Sequence, residues 1–427
     1  MATGEEPETP RGPEWPDTLD VRALLEQGWR PTPFRDFVIK VHSRCNLACD
    51  YCYMYEMADQ GWRRQPRRMS RPIVDLVARR IAEHARANLL DRVDVVLHGG
   101  EPLLAGVEHL RYVATTLRDA MPDVHVALQV QTNGVLLDPF FLDLFDELDI
   151  SVGVSMDGDE EGHDLHRRRA DGRGSYQSVR DGLRTLTAPR TRHLFGGLLS
   201  TVDLRNDPVR TYEALLEFGP PEVDFLLPHG NWDFPPPGRT PDAGRSPGTP
   251  TPYGDWLIAV FDRWYGAPVQ ETRVRLFNSI LRLLLGRRES REAVGLGPIA
   301  VVVVETNGQI EQVDSLKSTF EGATATPLHV ARDPFDKALM LPQIAARQIG
   351  ARALAPQCRE CPVHRVCGGG HYVHRYRSGS GFLNPSVYCN DLYRLVGHIH
   401  GVLAADVRSL QQDALEASRA AADAAIP

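Results

Sequence analysis

The chain has no apolar run approaching the ~18 consecutive residues that a membrane helix needs, so no segment of its 427 residues reads as a transmembrane span. It has no excess of positive charge either. Lys and Arg number 48 against 56 Asp and Glu, a formal net charge of −8, which argues against a general nucleic-acid binder. Cysteine is scarce: seven residues, an odd number, gathered in two tight groups. That is not the disulfide framework of a small secreted domain, and grouped cysteines in a large intracellular enzyme more often bind metal or do redox chemistry. The opening stretch MATGEEPETPRGPEWP is acidic and proline-rich, without the basic and apolar regions of a secretory signal. The expected location is the reducing cytoplasm, with neither membrane nor nucleic acid as partner.

What is present is an ordinary globular composition, 42% hydrophobic and 24% charged, long enough for two or three domains. Residues 1–33 read as an extended arm with one short helix, Leu19 to Leu25. From 34 to 227, β-branched runs at Phe37–Val41, Val93–Leu97, Val124–Val130, Ile150–Val154, Leu194–Leu199 and Val223–Leu227 alternate with amphipathic stretches. The latter are Ile73–Leu90, Val107–Ala120, Pro139–Leu148, Ser175–Leu186 and Pro208–Phe218. This alternation predicts an α/β domain with a parallel sheet and helical crossovers. Residues 228–298 begin with a proline- and glycine-rich loop, whose Trp232 and Phe234 are candidates to face a substrate. Two bridging helices follow, Tyr253–Tyr265 and Arg273–Leu285. Strand Ile299–Glu305, the Asn307-Gly308 turn and a returning strand Ile310–Val313 predict a hairpin opening a smaller domain over 299–395. An alanine-rich helical tail takes up 396–427.

Chemistry concentrates at the ends of the predicted strands. Cys45, Cys49 and Cys52 follow the first one with the spacing C-x3-C-x2-C. Three thiolates fall one short of a closed structural zinc site, but they suit a cubane iron–sulfur cluster that keeps one iron open. A partial zinc knuckle or plain buried thiols are the alternatives on spacing alone. After the second strand comes His98-Gly99-Gly100-Glu101-Pro102, where two glycines permit close backbone approach to a ligand and Glu101 offers a carboxylate. Gln131-Thr132-Asn133-Gly134 and Ser155-Met156-Asp157-Gly158 put short polar groups after the third and fourth strands, as a ribose or carboxylate site requires. Arg167 opens an Arg-Arg-Arg run that reads either as a bidentate carboxylate clamp or as a solvated face. Near the C-terminus, Cys358-x2-Cys361-x5-Cys367-x21-Cys389 supplies four thiolates. They can close a zinc site or fill a complete cubane, and spacing does not separate the two.

Taken in order, these motifs resemble the radical SAM enzymes, whose cysteine loop holds a [4Fe-4S] cluster and whose open iron chelates S-adenosyl-L-methionine. The resemblance implies an open, partial (β/α)6 TIM-like barrel. It also implies that Tyr51 lies near the adenine and that the Gly99-Gly100-Glu101 stretch holds the methionine amino group. Asn133, Ser155 and Asp157 would belong to the same cofactor site, the latter two at the ribose region, with Arg167 on the cofactor carboxylate. The C-terminal cysteines resemble the SPASM extension, with one auxiliary [4Fe-4S] cluster. The extension here is incomplete: Val313 stands five positions after Gly308, where a cysteine is expected. His371 stands four positions after Cys367, where another is expected, and residues 290–357 contain no cysteine. His371 is either an unusual ligand or acid–base group or a structural histidine.

Two further stretches, Phe34 to Cys45 and Gly368 to Cys389, together with Glu311 to Lys317, are similar to the cyclophane-forming peptide maturases of the FxsB type. That likeness implies a radical SAM maturase acting on a short ribosomal precursor peptide and joining an aromatic ring to the β-carbon of a nearby residue. An electron donor such as a flavodoxin or ferredoxin would drive it. Asp314, beside Val313, is the candidate base, since forming such a bond by oxidation releases a proton; a surface turn is its other reading. The rival expectations are another radical SAM modification (thioether formation, epimerisation or sulfatase-type formylglycine formation) and, of another class, a non-catalytic iron–sulfur or zinc sensor or peptide carrier.

Overall fold

The computed structural model describes residues 14–239, 249–289 and 292–424. Its centre is one nine-stranded sheet built on the six predicted runs: β1 (Asp36–His42), β2 (Arg92–Gly99), β3 (His125–Thr132), β4 (Ile150–Ser155), β5 (Phe195–Thr201) and β6 (Glu222–Leu226). These strands pair in sequence order, all parallel. Each is rich in β-branched or aliphatic residues, which fit a pleated surface buried on both sides. The crossovers carry the helices Arg71–Ala87, Val107–Asp119, Pro139–Glu147, Tyr176–Leu186 and Pro208–Leu216. Two of these starts are fixed by aspartate caps, Asp138 accepting from the Phe141 N–H at 3.0 Å and Asp207 from the Arg210 N–H at 2.8 Å.

The sheet extends past the predicted six strands on both edges. A two-residue strand β7 (Arg273–Val274) adds to β6 ahead of helix Arg275–Leu284, so the predicted helix start at Arg273 gives way to a strand. On the other side, β8 (Val301–Val304) pairs parallel with β1, and β9 (Ile310–Glu311) folds back on β8. The Asn-Gly hairpin is therefore formed, but it lengthens the barrel sheet and does not start a new one. The alternating residues of β1 explain why β8 can dock there. Phe37, Ile39 and Val41 point to the helical layer, and Val38 and Lys40 point to the inside of the curved sheet.

The short helix expected in the arm is present, and the arm lies against the body of the protein. Residues 14–33 dock on the C-terminal part: the Gly379 N–H donates to Glu14 Oε1 at 2.7 Å and the Phe382 N–H to the Trp15 carbonyl at 3.3 Å. Helix Val21–Glu26 packs Leu24 against Ile349 and Ala353. Trp232 is anchored in the loop after β6. Its Nε1–H is held by the Pro385 carbonyl at 2.7 Å, because a buried indole N–H needs an acceptor. Phe234 is exposed. The tail is one helix, Cys389–Ala424.

Gly99 sits at the end of β2 with φ +151°, and a Cβ there would lie 2.0 Å from the His42 carbonyl oxygen. Gly397, exposed on the C-terminal helix, has open space around it. Gly99→Ala is therefore expected to lower stability by about 1–3 kcal/mol, and Gly397→Ala to raise it by about 0.5–1 kcal/mol. Thermal melts of the two variants beside the parent check both signs.

Candidate functional site

The first three cysteines, Gly99, Gly100, Asn133 and Ser155 lie at or just after the C-terminal ends of the parallel strands, which is where crossover folds leave room for a ligand. The loop after β1 carries Cys45, Cys49 and Cys52. It is held in a compact turn by the Cys52 N–H to the Cys49 carbonyl at 3.1 Å and the Glu56 N–H to the Cys52 carbonyl at 2.9 Å. Across from it, the Gly100 N–H donates to the His42 carbonyl at 2.9 Å and the Glu101 N–H to the Arg44 carbonyl at 3.0 Å. Gly100 is required by that approach, since a Cβ on it would fall 2.6 Å from the Arg44 carbonyl carbon.

The three thiols line a cavity of about 180 Å³ with Tyr51, Gly99, Gly100, Asn133, Ser155 and Arg167. Asn133 reaches from the end of β3 to the cysteine loop, its Nδ2 2.8 Å from Asn46 Oδ1 and 3.5 Å from Cys45 Sγ. Ser155 Oγ accepts from Gln131 Nε2 at 3.1 Å. Two of the predicted residues stand behind this wall. Glu101 is fully buried and accepts from the Leu103 N–H at 3.0 Å, Thr132 Oγ1 at 2.7 Å and the Asn133 N–H at 2.8 Å. Its carboxylate fixes the end of β3 and with it Asn133. Asp157 accepts from the Tyr51 hydroxyl and, at 2.8 Å, from the Thr201 N–H.

Arg167 is buried, whereas its neighbour Arg168 is exposed, so the Arg run is not a uniform solvated face. Its Nη1 donates to the Tyr51 hydroxyl at 2.8 Å, and its Nε is buried with no partner in the protein. An orphaned guanidinium nitrogen at a cavity wall calls for an anion. The thiols make a matching demand. Burial pushes Cys45 up to about 11 and Cys52 up to about 12, so they ionise only beside a cation such as iron. The residues present thus fit a three-thiolate [4Fe-4S] cluster and S-adenosylmethionine, whose carboxylate suits Arg167.

A second cavity, about 390 Å³, adjoins the first. Tyr53, His98, Leu226, Leu227 and His229 line both. Asp314 lines its far side, 2.6 Å from Lys40 Nζ. Lys40, from the middle of β1, is buried and also pairs with Glu305 at 2.7 Å. Burial pushes the Asp314 carboxyl up, but the Lys40 and then Lys317 ammoniums outweigh it and hold it below the usual aspartate range. Asp314 is thus an ionised, enclosed carboxylate and not a surface turn. Lys40 was missed by the sequence reading, although a lysine inside an apolar run was its visible signal.

Three histidines also reach this cavity: His229 from the loop after β6, with His371 and His374 from the segment after Cys367. Burial pushes His229 down to about 4 and holds the other two below the usual histidine range, so all three rings are neutral at pH 7. Cys358, Cys361, Cys367 and Cys389 line a separate cavity of about 390 Å³ that excludes His371. None of the seven cysteines forms a disulfide.

Residues 39–194 match the sequence model of the radical SAM superfamily. That match runs from within β1 to the residue before β5, a little over a third of the chain. The chain is 23% identical over 387 residues to the serine-type anaerobic sulfatase-maturating enzyme of Bacteroides thetaiotaomicron, covering 86% of this chain and 89% of that one. It is 24% identical over 401 residues to the serine-type enzyme of Klebsiella aerogenes, covering 92% and 91%. Among solved structures, native anSMEcpe with bound AdoMet superposes with a TM-score of 0.68 at 20% identity, over 88% of this chain and 99% of that one. Streptococcus suis SuiB bound to its precursor peptide SuiA gives 0.54 at 13% identity, over 86% and 78%. These likenesses establish the fold as that of the radical SAM enzymes. Among the described residues, no helix is long and apolar enough to cross a membrane.

Removing the guanidinium tests its assignment. A charge-assisted hydrogen bond contributes roughly 1.5–3 kcal/mol, so Arg167→Ala is expected to weaken S-adenosylmethionine binding about ten- to a hundredfold with the iron content unchanged. Equilibrium dialysis of the cluster-loaded protein reads this.

Proposed function

We propose that the protein is a radical SAM maturase that modifies a ribosomal precursor peptide by forming a bond between an aromatic ring and the β-carbon of a nearby residue. The observation that carries the reading is the adjacency of the two cavities: the three-cysteine cavity shares the walls formed by Tyr53, His98 and His229 with one holding an enclosed carboxylate. When bound, the cluster and S-adenosylmethionine supply an oxidant able to take hydrogen from an unactivated carbon. Cys45, Cys49 and Cys52 would hold the cluster, with Tyr51, Gly99, Gly100, Asn133, Ser155 and Arg167 around the cofactor. Glu101 and Asp157 would act from behind, by fixing Asn133 and Tyr51. Cys358, Cys361, Cys367 and Cys389 would hold one auxiliary cluster. A short peptide entering the second cavity would place its aromatic residue against Asp314.

Joining the β-carbon to the ring after loss of one hydrogen atom leaves a proton and one electron to be removed from the attacked ring. Asp314 would accept the proton, and the auxiliary cluster that Cys358, Cys361, Cys367 and Cys389 would hold could supply the electron acceptor. Lys40 sets that role by keeping the carboxylate ionised. A second reading, formylglycine formation, is favoured by the sulfatase-maturating relatives, which span most of the chain. Against it stand Val313 and His371 at two positions where the complete extension carries cysteine.

A crosslinked peptide and a formylglycine peptide made from serine are both two hydrogens lighter than the starting peptide, so mass alone does not separate those two. A crosslinked peptide ignores a hydrazide probe and loses fragment ions between the joined residues, whereas a formylglycine peptide reacts with the probe and fragments normally. Asp314→Asn is expected to cut crosslinked product about a hundredfold or more while methionine and 5′-deoxyadenosine still form. Equal loss of both would place Asp314 in cofactor binding instead.

Lys40→Met carries a pH signature. Without the ammonium, burial dominates and the Asp314 pKa rises, so the acidic limb of the rate profile moves to higher pH. Lys40→Met should also lower stability by about 3–5 kcal/mol, because buried carboxylates lose their partner. Rate profiles and thermal melts check the two effects.

A further inference from the structure

The second cavity contains a cluster that the proposed chemistry does not use. His229, His371 and His374 come from two distant parts of the chain, and one nitrogen from each lies within 4.8 Å of the other two. Their ring centroids form a triangle with sides of 5.4, 6.0 and 5.2 Å. A cluster of three rings packed for shape alone would satisfy its nitrogens elsewhere, because buried polar atoms are expensive to leave unpaired. Here they are not satisfied. His374 is 3% exposed and neither of its ring nitrogens has a partner, and Nδ1 of His229 and Nδ1 of His371 are buried and unpartnered as well.

We propose that these three histidines form a site for a divalent transition ion of the zinc class, separate from both cysteine clusters. Imidazole nitrogen is a favoured donor for such ions, and three protein ligands leave a coordination position open for an outside ligand. Glu292 lies one small movement from this arrangement: its Oε2 is 3.6 Å from His371 Nε2, just beyond hydrogen-bond distance, and Arg347 Nη2 lies 2.7 Å from its Oε1. A carboxylate on the far nitrogen of a histidine orients that ring and leaves Nδ1 to the metal. Bonds of about 2.0–2.1 Å place ligand nitrogens about 3.3 Å apart, so metal entry requires modest ring rotations that draw the triangle together. His371, at the position of an expected cysteine, thus lies in a nitrogen-donor site on the other side of the segment from the auxiliary cysteines. The open position faces the cavity that adjoins the cofactor, where an oxygen donor of a bound peptide could complete the coordination.

The other cluster of potential ligands, Glu305, Glu311 and Asp314, does not compete. The ammoniums of Lys40 and Lys317 already occupy it.

The test uses the cluster-loaded protein, treated with a mild chelator, given one equivalent of Zn(II) and desalted. Expected is about one zinc per chain, with a first shell of nitrogen and oxygen at about 2.0–2.1 Å and no sulfur at about 2.3 Å by X-ray absorption. His374→Ala and His229→Gln should each reduce zinc affinity at least tenfold while iron content stays at the parent level. No retained zinc in the parent, a sulfur shell, or unchanged affinity in the variants with intact iron would each overturn the proposal. The absorption measurement on the parent decides the matter even where a variant fails to fold.

Discussion

The Lys40 ammonium is the point on which the active-site architecture turns. It projects inward from the middle of the strand that delivers the cysteine loop, and it is neutralised by Glu305, in the turn of the β8–β9 hairpin, and Asp314, just after it. Lys317 extends the network with Glu305 at 3.7 Å, Glu311 at 3.5 Å and Asp59, in the stretch after the cysteine loop, at 3.9 Å. Ion pairs of this kind rarely add net stability over an apolar core, since each charge must be desolvated. What they enforce is geometry. A half-satisfied network is so costly that the cysteine loop, the hairpin and the segment carrying Asp314 are constrained to one arrangement.

That constraint makes the C-terminal region part of the barrel's interior. β8 lies along β1, and Asp314 follows directly from the hairpin into the cavity opposite the cysteine loop. The same packing places His229, His371 and His374 around a common space. The separate cavity of the four C-terminal cysteines sits outside this chamber. One cavity is thus lined by the three thiols and Arg167 and the other by the Asp314 carboxylate and three histidines, with Tyr53 and His98 lining both.

Much of this was legible in the sequence because the signals are local. The six strands are continuous β-branched runs ending in Cys, Gly-Gly, Thr-Asn or Ser-x-Asp, and strand ends are where ligand-binding loops belong. The cysteine loop, Asn133, Ser155 and Arg167 were found that way and meet at one cavity. Glu101 and Asp157 were found too, but residue type does not reveal which carboxylates face a ligand and which brace the wall. The pairing of β8 with β1 and the meeting of the histidines depend on contacts between remote segments, for which no local pattern exists. For Trp232 and Phe234 residue type does not tell an aromatic anchored by a carbonyl from one open to solvent, and the first is anchored and the second exposed.

The central claim is that the cysteine cavity and the Asp314 cavity form a single reaction chamber for a peptide side chain. Isotope transfer tests it most directly. With a precursor peptide deuterated at the β-carbons, the account predicts deuterium in 5′-deoxyadenosine together with crosslinked peptide. Unlabelled 5′-deoxyadenosine, with the peptide keeping its β-deuterium and its mass, would contradict it.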